Sequence, residues 1–111
     1  MANLPDGWTD DLSIVLQEGQ TLEELVEHVI QATLQRESVS SIEHGLMTRF
    51  KLSEDDADLA RDRTLGGIVQ AATKNPENCP SQEKDPVAWT SFHRAIREPS
   101  IIGAIYPKYA D

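Results

Sequence analysis

Cysteine occurs once in these 111 residues, at Cys79, so no internal disulfide can staple the fold. Aromatic residues make up only 5%, which leaves Leu, Ile, Val and Ala to build the interior. No stretch approaches the ~18 to 20 apolar residues of a membrane span, and the longest apolar cluster, around Ile101 to Tyr106, is far shorter. No membrane association is therefore expected. The opening Met1-Ala2-Asn3-Leu4-Pro5-Asp6 lacks the basic and apolar regions of a secretory signal, so a reducing cytoplasm is the expected compartment. Segments that alternate apolar and polar residues are also missing, which removes the usual signature of a half-buried strand.

Basic residues are scarce in one place above all. Residues 1–35 contain Asp6, Asp10, Asp11, Glu18, Glu23, Glu24 and Glu27 but no Lys or Arg, and so hold −7 of the net −9. Nucleic-acid phosphates would be repelled at long range, and no nucleic-acid partner is expected; a basic or neutral protein is favoured instead.

What is present is helical periodicity. Thr9 could cap a short helix carrying Leu12, Val15 and Leu16, with Gly19 as its stop. Thr21-Leu22-Glu23-Glu24 is a capping box, and Leu22, Leu25, Val26, Val29, Ile30 and Leu34 follow at three- and four-residue steps to about Arg36. Glu23, Glu27, His28 and Gln31 fall outside that stripe and are expected to face water. A second box at Ser40-Ser41-Ile42-Glu43 opens a shorter helix with Ile42, Leu46, Met47 and Phe50, interrupted by Gly45. Ser53 with Asp56 starts a third helix, to about Thr73, whose Gly66-Gly67 pair predicts a close approach by a neighbouring backbone.

Lys74 to Lys84 reads as a loop with two prolines. Asp85-Pro86 restarts a helix with Ala88, Trp89, Phe92, Ala95 and Ile96 as its buried stripe, and a last short helix precedes Pro107. The expected fold is all-α, a single domain of about five helices in a compact orthogonal or bundle-like arrangement without a sheet.

Chemical motifs are weak. The corner from Ser41 to Thr73 has the outline of a helix-turn-helix, but its second helix begins Glu54-Asp55-Asp56, where recognition would need Arg, Lys, Asn or Gln. Those acids, with Asp58 and Asp62, lack the alternating spacing of a calcium loop and suit a helix N-terminus without any ion. His28, His44 and His93 lie on three different helices with no HxxxH or CxxC spacing, so neither a metal nor a cofactor is expected. Arg61 is expected to pair with a carboxylate such as Asp58.

The leading expectation is a non-enzymatic interaction module, of an inhibitor-like, immunity-like or adaptor kind. Its partner would meet Glu23, Glu24, Glu27, His28 and Gln31. Small acidic helical inhibitors, such as those that neutralise nucleases, share this general character, although no motif places the chain among them. The alternative is an enzyme accessory or small-ligand-binding domain with a pocket near the 74–84 loop, formed by Cys79, Trp89 and His93. A third expectation is a homo-oligomer that packs through Ile101 to Tyr109, while Trp8 has no periodic context and is a candidate docking anchor.

Overall fold

The computed structural model describes residues 14, 16–73 and 80–110, with side chains described through residue 105. Among these residues lie five α-helices and no strand: α1 (Leu22–Leu34), α2 (Val39–Arg49), α3 (Glu54–Ala72), α4 (Pro86–Arg97) and α5 (Ser100–Ala110). Leu12 and Val15 of the expected helix after Thr9 lie outside the described residues, as do Trp8 and Cys79, while its described end, residues 16–19, is not helical and closes in a turn.

The capping box of α1 forms as its sequence requires. Thr21 Oγ1 accepts the Glu24 N–H and Glu24 Oε2 accepts the Thr21 N–H, both at 3.2 Å. Leu25, Val26, Val29 and Ile30 are buried. The helix ends when Arg36 adopts a left-handed backbone (φ 62°), so that its N–H reaches the Thr33 carbonyl and the Glu37 N–H reaches that of Ala32, both at 3.0 Å. A side chain in that conformation costs about 1–2 kcal/mol, so Arg36→Gly is expected to raise stability by about 1 kcal/mol in urea titration, the rest being lost to backbone entropy.

The second helix starts two residues before the expected box. Ser38 Oγ accepts the Ser41 N–H at 3.0 Å, and Glu43, released from capping, accepts a 3.1 Å hydrogen bond from Arg61 Nε. The turn at Arg36 sets where the chain can begin to coil, and Ser38 is the first hydroxyl after it. Arg61 also lies 3.5 Å from Asp58, the carboxylate expected for it. Ser53 caps α3 through the Asp56 N–H at 3.1 Å, as the sequence predicts.

Helices α3 and α4 are the most closely packed pair. A Cβ on Gly67 would lie 2.5 Å from the Ala88 carbonyl oxygen and 2.9 Å from Ser91 Cβ, so the expected close approach of backbones occurs here. Ser91 Oγ, fully buried, donates to the Thr64 carbonyl across the same contact. The buried residues of α4 are therefore Val87, Ala88, Thr90, Ser91, Phe92 and Ala95. Trp89 and Ile96, assigned to the buried stripe from sequence, are respectively half-buried and 51% exposed. The close contact at Gly67 admits only the small side chains of Ala88 and Ser91, and Trp89 and Ile96 fall off that face.

Arg63 and Asp85 form a buried ion pair (2.7 Å, side chains 6% and 3% exposed), and the other Asp85 oxygen accepts the Ala88 N–H at 3.1 Å. One carboxylate thus caps α4 and ties it to α3. Helix α5 continues through Pro107 rather than stopping before it. Proline forfeits only the bond to the exposed Gly103, while Ile101 and Ile105 hold the helix in the core. Those two isoleucines, part of the expected subunit contact, are thus buried within the chain; the side chains of Tyr106 and Tyr109 fall outside the described ones.

The radius of gyration, 13.0 Å, equals the roughly 13 Å expected of a compact body of this length. No helix among the described residues is long and apolar enough to cross a membrane.

Candidate functional site

The flank of α1 that carries its acids does not stand free in solvent. It forms one wall of an open groove of about 330 Å³, lined by Glu24, Glu27, His28 and Gln31 of α1, by Glu37 from the turn that follows, and by Arg49 at the end of α2. Four of the five residues expected to meet a partner therefore share one concavity; Glu23 is exposed and lies outside it.

Each wall residue is held by a local device. Glu24 is fixed by the capping box. Glu27 Oε2 accepts a 2.7 Å hydrogen bond from Gln31 Nε2, one turn on, and its Oε1 accepts from Arg94 of α4, with Nε at 3.0 Å and Nη2 at 2.9 Å. Arg94 is itself braced by Glu98 one turn further along α4. Partial burial pushes the Glu27 carboxyl up, but the Gln31 hydrogen bond and the hydrogen bonds and charge of Arg94 outweigh it and hold the group below its usual range. Glu27 thus remains an anion in the groove at neutral pH. Glu37 accepts from Ser41 Oγ at 2.8 Å. The Arg49 guanidinium sits 5.1 Å from the centre of the Phe50 ring, and its backbone carbonyl accepts from Gln20 Nε2 at 2.8 Å.

His28 departs from expectation. It was assigned to the water-facing flank, yet position 28 falls three residues after Leu25 and four before Ala32, both buried, and its ring leans into the α1–α2 interface. A Cβ on Gly45 would stand 2.7 Å from His28 Nε2 and 2.9 Å from Cε1, so the ring occupies the space that glycine leaves. Its edge meets Phe50, with ring centroids 6.0 Å apart at 77°. Nε2 is buried with no hydrogen-bond partner. Burial first, and then the Arg49 charge, lower the imidazole's proton affinity against a smaller opposing pull from Glu37 and the Ile42 carbonyl.

The alternative site is less complete. Trp89 and His93 stack at 4.5 Å with a 56° tilt, and Phe92 meets His93 edge-on at 5.4 Å, but none of them lines the groove, and Cys79 lies outside the described residues. Among the described residues no three His, Cys, Asp or Glu side chains are grouped to hold a metal ion.

Sequence reasoning missed Arg49 and Glu37 as parts of the groove, and Arg94 as the brace of its Glu27. Each comes from a segment other than α1, and only the packing of α2 and α4 against it brings them together. No protein-family model matches this chain, and neither the curated proteins nor the solved structures compared with it give a match. The residues of the groove therefore carry the functional argument alone.

Proposed function

We propose that the chain is a non-enzymatic interaction module whose α1–α2 groove receives a basic segment of a protein partner. The observation behind this reading is the concentration of three carboxylates, Glu24, Glu27 and Glu37, around one concavity that contains a single arginine. The carboxylates are preorganised by the capping box, Gln31, Arg94 and Ser41, so little side-chain entropy remains to be lost on binding. The acidic N-terminal third extends the same sign of charge and would speed the approach of a cationic partner.

The test is capture of partners on the immobilised chain at low ionic strength, with elution at high salt and identification of the bound proteins. Gln31→Lys places a cation in the groove without touching a helix cap, and it should weaken the captured interaction about tenfold, equivalent to about 1.4 kcal/mol. Asp55→Asn, on the exposed first turn of α3, changes the net charge by the same single unit and should leave it nearly intact. Equal loss with both variants would reduce the effect to bulk acidity and remove the groove from the account.

A further inference from the structure

The contact between His28 and Gly45 has a property that the partner reading does not use. Its imidazole is wedged edge-on against a helix backbone, and the buried Nε2 makes no hydrogen bond; the Ile42 carbonyl of that backbone is the acceptor beside the ring. A neutral ring tolerates this position with its proton on the other nitrogen. An imidazolium carries donors on both nitrogens, and the Ile42 carbonyl can serve only one of them. Burial and the Arg49 charge outweigh that acceptor, so a protonated ring gains by reaching water, and it reaches water by leaving Gly45.

The element on the other side of this contact is weakly held. Of the helices whose side chains are fully described, α2 buries the fewest: Ile42 and Leu46 alone within its span. Beyond its span the buried Phe50 anchors its C-cap, and its polar ties include the Ser38 cap, the Ser41–Glu37 hydrogen bond, the half-buried Glu43–Arg61 pair and the Gln20 hydrogen bond to the Arg49 carbonyl. Short helices with few buried side chains open at lower free energy than the core around them. Charged groups face the ring from both sides: Arg49 on α2 opposes protonation, whereas Glu37 in the connecting turn favours it, and Glu24 and Glu27 of α1 line the same groove.

We infer that His28 and Gly45 form an acid-released latch between α1 and α2, closed while the imidazole is neutral and opened, with local exposure of α2, when the ring takes up a proton. The sign follows from linkage. A histidine that binds protons less readily when folded than when unfolded contributes stability that is complete above about pH 6.5, its ordinary value, and is lost as the pH falls through its folded value. That window opens at about pH 6.5, above the ordinary carboxylate range, so its upper part is separable from titration of the groove acids. The device operates in the chain alone, with no partner present.

The experiment is NMR of the full chain between about pH 7.5 and 5, following the His28 ring proton and the amide exchange of Leu46 and Met47 together. His28 should titrate below about 6.5, and exchange in α2, corrected for the intrinsic effect of pH, should rise about tenfold over the same interval while Ile68 and Ala95 hold steady. His28→Gln removes the titrating group and should abolish that step. Gly45→Ala, whose Cβ would expel the ring at every pH, should bring the His28 titration up toward the ordinary value and leave α2 exchange independent of pH in this window. Titration of His28 at or above 6.5 in the native chain, an unchanged α2 exchange rate across its titration, or persistence of the step in His28→Gln would each overturn the latch. None of these outcomes depends on whether a basic partner exists.

Discussion

Asp85→Ala is expected to destabilise the fold by about 4 kcal/mol, the largest effect of any single polar substitution considered for this chain. Two losses combine. The Arg63 guanidinium, with only 6% of its side chain exposed, is left buried without its carboxylate, a change that typically costs about 3–5 kcal/mol. Helix α4 also loses the acceptor for its Ala88 N–H, a cap typically worth about 1 kcal/mol. The terms overlap because one carboxylate serves both, and about 4 kcal/mol is the combined expectation rather than their sum.

Asp85→Asn separates them. The amide oxygen can still accept from Ala88 while the charge is gone, so its cost should be about 2 kcal/mol. The double variant Arg63→Met with Asp85→Leu removes both charges at once and should recover most of the loss except the cap, leaving about 1 kcal/mol. Urea titration of the wild type, Arg63→Met, Asp85→Leu and the double variant gives the cycle directly. A cost below about 1 kcal/mol for Asp85→Ala would mean that the ion pair does not hold α4 to α3.

The contrast between what could and could not be anticipated follows the reach of each interaction. Thr21 with Glu24, Ser53 with Asp56, and Asp85 ahead of Pro86 act within four residues, and all three caps form as their spacing requires. The closeness of a neighbour at Gly67 was also legible, because a glycine pair inside a helix loses stability unless something needs the room. The Ser40 box was a false start: Ser38 offers the same hydroxyl two residues earlier, and the left-handed turn at Arg36 decides between them. The Asp85 cap was visible but its Arg63 partner, 22 residues away, was not. The groove shows the same division. Its α1 wall was marked by charge and helical spacing, while Glu37, Arg49 and the Arg94 that braces Glu27 arrive through packing. His28 was misassigned because a histidine at the border of a stripe goes in or out according to what the opposite helix leaves open, and that opening is Gly45.

The same reasoning makes Gly67→Ala the second large perturbation, with an expected loss of about 2 kcal/mol. Alanine gains about 1 kcal/mol in helix propensity, so the substitution would be stabilising if the site were open. It is closed by backbone: the added methyl would meet the Ala88 carbonyl oxygen at 2.5 Å and the Phe92 nitrogen at 3.1 Å, and neither can rotate away as a side-chain tip could. Overpacking of this kind costs about 1–3 kcal/mol, and moving two backbones apart belongs at or beyond the upper end of that range. Gly103→Ala provides the control, because nothing among the described atoms lies within 4 Å of its new Cβ, and that variant should gain about 1 kcal/mol. If Gly67→Ala also gains stability, the close approach of α3 and α4 is wrong. The consequence reaches the groove, since Arg94 sits on the helix that must retreat and its guanidinium holds Glu27. Displacement of α4 leaves the Glu27 carboxyl with its partial burial and the Gln31 hydrogen bond but a weaker cation. Its titration, followed by carbon-detected NMR, should then move upward from its lowered position toward the ordinary range. A glycine with no contact to the groove would thereby control the charge of one of its walls through the spacing of two helices.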